Sequence, residues 1–286
     1  MTAAVVAAAP AARTPGALAG TLAVARAELA KLAARITFRA AAGLCVVGPF
    51  LAAVVLRAQS SAPEDTLFGR WIHTSGFALP LVLLSFCGQW ALPALAGLGG
   101  GDIFSAEDAA GTWSAVLTRS CSRAQLWAGK VLAALSWAVV VVVLLALAST
   151  AAGLLLGQQP LVDLSGVPQP AATSLPRVLA SWATALAPTL ALTCVGMLLS
   201  VLTRRSVVGV AGPLLLALGM QLVALVDGPP AVRALLLSPA YGAWHGLWVD
   251  PSFTGPIVRA TVVSVAWGVL ATGAALLVFL RRDVAV

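Results

Sequence analysis

The side chains that most often carry chemistry are scarce in this sequence and widely spaced. The two histidines, His73 and His245, lie far apart, and the four cysteines form no CxxC pair. Enzymes need clustered acids, bases or nucleophiles, and ion-coupled transporters place ionisable groups near the middle of the membrane. None of the ten carboxylates falls in the middle of an apolar segment. The sequence therefore argues against an intramembrane protease, a lipid-modifying enzyme and a secondary transporter, and it predicts no catalytic or metal site.

A phosphate-binding loop is also missing. The pattern GxxxxGK[ST] fails because Gly129-Lys130 is followed by Val131 and preceded at position 124 by alanine. These residues also stand at the start of an apolar segment, where no loop could surround a nucleotide. We expect no cofactor in this chain, and any ATP and Mg²⁺ that its function required would bind another polypeptide.

The elements that position these residues are apolar helices. The chain is 60% hydrophobic and only 9% charged, whereas a soluble domain carries about a quarter charged residues. Lipid is therefore the expected solvent, and a span needs about 20 apolar residues. The sequence predicts an all-α integral membrane protein with six spans, at 40–57, 76–99, 129–156, 178–202, 206–226 and 257–280.

The basic residues predict the orientation. Twelve of the 17 Lys and Arg fall on one side if the N-terminus is cytoplasmic, as the positive-inside rule requires. Both termini are then cytoplasmic, and the +7 net charge needs no nucleic-acid partner. Heavy use of Ala, Val, Leu and Arg suggests a GC-rich bacterial genome, and hence a bacterial cytoplasmic membrane. Residues 1–20 are predicted to be a disordered tail, and residues 21–286 a single transmembrane domain.

Two connecting segments have unusual composition. Residues 21–39 alternate apolar and basic residues at helical spacing, which predicts a helix lying on the membrane surface or an extension of the first span. Residues 227–256 are apolar but broken by prolines, so they predict a re-entrant or interfacial helical pair on the outer side. Tyr241, Trp244 and Trp248 in this segment suit the aromatic belt of a membrane interface.

Polar and aromatic residues within the spans are candidates for a transport pathway. Gln89 and Gln221 are the most polar residues near the middle of a span, and Trp90 follows the first of them. They line a pathway for a hydrophobic substrate, or they hold helices together and face lipid.

The connection between the second and third spans, residues 100–128, carries the most information. Gly99, Gly100 and Gly101 are predicted to end the second span, and Ser105 to cap a new helix with acidic residues in its first turn. Apolar residues at helical spacing follow, including Trp113. The pattern predicts a short amphipathic helix that docks into a groove on a partner, or one that simply rests on the membrane.

This connection resembles the signature of type-2 ATP-binding-cassette (ABC) transporter permeases. The resemblance is carried in order by Glu107, Gly111-Thr112, Leu117, Ser122-Arg123 and Gly129-Lys130. Glu28-Leu29 with Lys31 and Arg35 is similar to the basic elbow helix of that family. The six-span plan and the apolar segment before the last span agree as well, whereas Ser120 stands where many members have proline.

The resemblance implies the membrane subunit of an exporter that works by alternating access. This subunit would pair with an identical or paralogous permease and would be surrounded by membrane lipids. It would bind a separate ABC ATPase through a coupling helix at 105–118. The alternative is a membrane anchor or sensor subunit that moves no substrate. The implied coupling residues are Ser105, Glu107, Asp108, Gly111, Thr112, Trp113, Leu117, Arg119 and Arg123. The implied elbow helix, 22–39, presents Arg26, Glu28, Lys31 and Arg35.

Overall fold

The computed structural model describes residues 16–59, 67–111 and 122–281. Six of its helical segments are long and apolar enough to cross a membrane, which confirms the predicted all-α plan. The helices are α1 (Ala17–Ala34), α2 (Ile36–Ala58), α3 (Ala78–Phe86), α4 (Leu92–Ala110), α5 (Arg123–Leu156), α6 (Ala171–Thr184), α7 (Leu186–Thr203), α8 (Ser206–Leu225), α9 (Pro230–Ala234) and α10 (Gly255–Arg281).

Two of the spans are composite. A π-helical turn, Cys87–Ala91, joins α3 to α4, and Ala185 joins α6 to α7. Short elements complete the fold: 3-10 helices at Gly69–Trp71 and Ser238–Trp248, and a two-stranded antiparallel hairpin of β1 (Leu161–Val162) and β2 (Pro168–Gln169). The fourth span begins earlier than the predicted residue 178, because helix already starts at Ala171.

The second span is longer than predicted. Gly99, Gly100 and Gly101 do not end it, because the helix continues to Ala110. A side-chain carbon at Gly100 would overlap the carbonyl of Thr193 in α7, and one at Gly101 would overlap the backbone of Gly209 in α8. The three glycines are buried and serve close helix packing, which small residues permit in membranes.

Helix α1 is separate from the first span. The backbone at Arg35 is extended, with φ −76° and ψ 132°, and this interrupts the helix between Ala34 and Ile36. The helix is therefore not continuous from Ala17 to Ala58. Helix α1 packs against the beginning of α5, where Gly129 lets the backbones approach: a side-chain carbon there would lie 2.6 Å from Val24 Cβ.

The bundle has two distinct ends. The α1 end holds α1, the last turns of α4, the first turns of α5 and the junction between α7 and α8. The opposite end holds the hairpin, α9 and the Ser238–Trp248 segment. We use these two names below.

Candidate functional site at the α1 end

Both ends of the connection between α4 and α5 have a defined local structure. Helix α4 stops at Gly111, which adopts the left-handed conformation with φ 62° and ψ 24°, and glycine takes this conformation without steric cost. Helix α5 starts with a capping box, in which Ser122 Oγ accepts a hydrogen bond from Gln125 N at 3.2 Å and Gln125 Oε1 accepts one from Ser122 N at 2.8 Å. These two anchors fix where the connection leaves one span and enters the next.

Four charged residues beside these anchors form the ion cluster, which comprises Glu28, Lys31, Glu107 and Lys130. Lys130 Nζ lies 3.0 Å from Glu28 Oε2 and 3.3 Å from Glu107 Oε1. It also donates a hydrogen bond to the carbonyl of Ile103 at 3.0 Å, and its side chain is completely buried. A buried ammonium is tolerated only when it is paired and hydrogen-bonded in this way.

Lys31 completes the cluster from its more exposed side. Its Nζ lies 2.9 Å from Glu28 Oε1 and 2.8 Å from Glu107 Oε1. Burial by itself lowers the pKa of Lys31, but the hydrogen bonds and charges of Glu107 and Glu28 outweigh it, so the pKa is raised above its usual value. Two lysines thus balance two carboxylates, and the cluster connects α1, α4 and α5.

A second polar group connects the α1–α2 junction to the turn between α7 and α8. The Arg35 guanidinium pairs with Asp102, which also accepts a hydrogen bond from Ser206. Ser206 Oγ lies 3.0 Å from Ser105 Oγ, and Ser105 N donates to Ser200 Oγ at 2.9 Å. Through these contacts α4 is bound to the α1–α2 junction, to the end of α7 and to the beginning of α8.

The structure changes the interpretation of several predicted coupling residues. Ser105 does not cap a helix: it is buried inside α4, and its hydroxyl donates to the carbonyl of Gly101. Glu107 and Asp108 lie in the last turns of α4, where the helix dipole disfavours acidic groups. The lysines of the ion cluster compensate for this at Glu107, which is 8% exposed and does not face outward.

The other predicted residues have mixed outcomes. Glu28, Lys31 and Arg35 of the predicted elbow helix make the ion pairs described above, and Arg26 is exposed. Arg123 is the first residue of α5. Thr112, Trp113, Leu117 and Arg119 lie outside the described residues, as does the second half of the predicted 105–118 helix.

The sequence does not predict the roles of two charged residues in these networks, Lys130 and Asp102. Lys130 was noted only as part of the Gly129-Lys130 motif, although a lysine seven residues inside an apolar helix of 34 residues is itself a signal of a buried partner. Asp102 had no such signal, because it was expected to lie in a loop.

At the opposite end, two of the three predicted pathway residues lie together. Gln221 Nε2 donates to the backbone carbonyl of Gln89 at 3.1 Å, and both glutamines line a groove of about 690 Å³. Its other walls include Phe86, Tyr241 and His245. Trp90 does not line this groove, and its side chain is 54% exposed on the surface of the bundle.

The predicted aromatic belt is wrong. Tyr241, Trp244 and Trp248 are 5%, 1% and 0% exposed and belong to the core. Trp248 Nε1 donates to Ser181 Oγ at 3.0 Å, and the hydroxyls of Tyr241 and Thr189 lie 3.2 Å apart. The Ser238–Trp248 segment is therefore packed against α6 and α7.

These features define a multi-pass helical membrane protein with a polar network at one end and a groove at the other. A family model described as "ABC-2 family transporter protein" matches residues 25–219, and the chain belongs to this family. A search of curated proteins found no match. Membership makes the chain a permease, the membrane component of an ABC transporter system.

Proposed function

We propose that this chain is the permease subunit of an ATP-driven exporter for hydrophobic or amphipathic molecules. In this proposal the α1 end faces the cytoplasm and a separate ABC ATPase binds the connection between α4 and α5. The second subunit of the permease is a copy of this chain or a paralogue. The membrane is the cytoplasmic membrane of a bacterium.

One observation carries the proposal. The composite span Ala78–Ala110 is helical through 33 residues, including the π-helical turn at Cys87–Ala91, and runs from the opposite end to the α1 end. Gln89 of this span lines the groove, and Glu107 of the same span belongs to the ion cluster. A displacement applied beside Gly111 would therefore reach the groove along a single helical span.

The ion cluster supports the same mechanism. It joins α1 and the first turns of α5 to α4, so the three helices move together when the connection is pushed. Alternating access then follows if ATP-driven closure of two ATPases shifts these helices in both permease subunits. The partner hydrolyses ATP. This chain provides the substrate pathway and the span Ala78–Ala110 that transmits the movement to it.

The groove supports the substrate class. Phe86, Leu225 and Trp244 give it apolar walls, while Gln89 and Gln221 provide a few polar contacts. Ligand sites of this kind combine a mostly apolar lining with a small number of polar groups that fix orientation.

Copurification followed by reconstitution tests the proposal. The full chain is isolated from its native membrane, the copurifying ATPase is identified by mass spectrometry, and the complex is placed in proteoliposomes. We expect ATP-dependent movement of a lipophilic fluorescent dye or of a fluorescent phospholipid. If an ATPase copurifies but neither probe moves, the anchor or sensor function is favoured instead. If no ATPase copurifies, the proposal is overturned.

A substitution in the connection separates docking from folding. Trp113→Asp is expected to abolish ATP-driven transport while the protein still inserts, because the sequence pattern places this residue on the apolar face that docks. Ala172→Asp is the control, since it adds the same charge at an exposed position in the first turn of α6. Equal transport by the two variants would contradict the assignment of the connection.

A further inference from the structure

A second groove lies at the opposite end, between the Ser238–Trp248 segment and the beginning of α10. It encloses about 600 Å³, within the roughly 300–1,000 Å³ typical of small-molecule sites. Two arginines line it, Arg233 from α9 and Arg259 from α10. None of the described residues that line it is acidic.

The two arginines have little compensating charge. Arg233 Nη2 donates to the carbonyl of Ala224 at 3.0 Å, and Arg233 Nη1 lies 3.9 Å from Asp227, whose side chain is fully exposed. Within the described part of the chain, Arg259 makes no ion pair. His245 also lines the groove, and burial lowers its pKa, so it is neutral at neutral pH. The groove therefore carries a net positive charge.

The remaining walls are apolar. Leu236, Ala260 and Val263 lie on the side of the groove that continues along α10. A cationic rim beside an apolar wall matches a ligand that has one acidic group attached to a hydrocarbon body.

The position of Arg259 in the last span agrees with a ligand that has an acidic group and a hydrocarbon body. Residues 260–280 contain no charged side chain and are bounded by Arg259 and Arg281. Because about 20 apolar residues cross the hydrocarbon core, Arg259 lies at the level of the lipid headgroups. The positive-inside rule does not explain the two arginines, since that rule concentrates basic residues at the other end.

We propose that this basic groove binds the phosphate of an anionic amphiphile, with Arg233 and Arg259 on the phosphate and the apolar body along Leu236, Ala260 and Val263. Guanidinium groups suit this task because their planar donors match phosphate oxygens in pairs. The ligand is an anionic phospholipid of the surrounding leaflet. Binding does not depend on ATP or on transport.

Short-chain lipids test this proposal on the full-length chain, purified in detergent without ATPase or nucleotide. Dioctanoyl phosphatidylglycerol, dioctanoyl phosphatidylcholine and inorganic phosphate are titrated separately, with native mass spectrometry as the readout. We expect the phosphatidylglycerol to bind more tightly than either of the other two. Equal binding of the two lipids would overturn the proposal, and so would inorganic phosphate binding as tightly as the anionic lipid.

Variants then locate the site. The double variant Arg233→Gln/Arg259→Gln is expected to weaken phosphatidylglycerol binding about tenfold, the scale expected for losing charge-assisted contacts at a partly solvated site. Arg70→Gln is the matched control, because Arg70 is an exposed arginine at the same end that lies outside the groove. An unchanged affinity in the double variant would place the lipid elsewhere and overturn the proposal.

A third variant tests binding of the apolar part of the ligand separately from binding of its phosphate. Val263→Trp fills the apolar wall and leaves both arginines in place, so it should weaken binding of the lipid and leave phosphate binding unchanged. The single variant Arg259→Gln, at an exposed position, provides the test of charge if the double variant fails to fold. Loss of lipid preference in Arg259→Gln supports the site, and full retention contradicts it.

Discussion

The ammonium group of Lys130, which is completely buried, lies 3.0 Å from the carboxylate of Glu28 in another helix. The two residues are 102 positions apart in the chain. Their contact ties the helix that precedes the first span to the beginning of the third span. Because both charges are desolvated, each depends on the other far more than an exposed pair would.

Removing the buried cation should therefore destabilise the protein strongly. Lys130→Met leaves two buried carboxylates with Lys31 as their remaining cation in the ion cluster, and breaking a buried pair in this way costs about 3–5 kcal/mol. The expected result is a clear fall in the thermal unfolding temperature of the purified protein in detergent.

Lys31→Gln is the control for this variant. It removes a cation from the same carboxylates, but the Lys31 side chain is 46% exposed, so water can replace part of the interaction. We expect a smaller fall in unfolding temperature than for Lys130→Met. Equal effects of the two substitutions would show that burial of Lys130 does not set the strength of the cluster.

Reversing one charge tests the pairing itself. Glu107→Lys places a third cation beside Lys31 and Lys130, with Glu28 as the remaining carboxylate of the cluster. The sequence alone predicts that this variant folds and only loses coupling, whereas the buried contacts predict poor folding. The double variant Glu107→Lys/Lys130→Glu restores the charge balance, so it should recover a large part of the yield and unfolding temperature. A double variant less stable than Glu107→Lys would contradict direct pairing.

The number and placement of the spans could be predicted because hydropathy and length decide them. The boundaries at the α1 end could not, since they depend on neighbours that are distant in sequence. Gly99, Gly100 and Gly101 read as a helix end, but each is closely packed. The side chain of Trp137 packs on Gly99, and the backbones of α7 and α8 pack on Gly100 and Gly101, which leaves no room for a larger residue. Local propensity was overridden by tertiary packing.

The contacts of the candidate site residues also depend on neighbours that are distant in sequence, so they could not be predicted. Glu28, Lys31 and Glu107 were identified from their motifs, but as residues of exposed helices. Nothing local in the sequence indicates that Glu28 and Glu107 share one buried lysine. The aromatic residues Trp244 and Trp248 were placed at the interface because of their amphipathic rings, whereas the observed rings pack on Phe68 with centroids 5.9 and 5.4 Å away.

Acidification should weaken the fold through His245, which lies outside the six spans. Burial lowers its pKa below the ordinary value of 6.5, so the unfolded chain binds the proton more readily. Stability then falls as the pH drops from 6.5 toward the lowered pKa, and the residue contributes no pH dependence above that window. Arg233 and Arg259, which line the same groove, stay charged throughout and oppose protonation.

Unfolding temperatures between about pH 7 and about pH 5 measure this effect. The fall on acidification should be smaller in His245→Asn than in the unchanged protein. His73→Asn is the control, because His73 is exposed. An identical pH dependence in all three proteins would exclude His245 as the titrating group.

Coupling should depend on the conformation of Gly111. Alanine at this left-handed position, with φ 62°, is strained by about 1–2 kcal/mol, so the connection would leave α4 in another direction in part of the molecules. We expect Gly111→Ala to insert and fold but to show reduced ATP-driven transport in proteoliposomes. The control is Gly43→Ala in α2, where an added carbon meets nothing within 4 Å and φ is not left-handed. If Gly111→Ala transports as well as Gly43→Ala, the direction in which the connection leaves α4 has no part in transmitting force. The ion cluster would then serve stability alone.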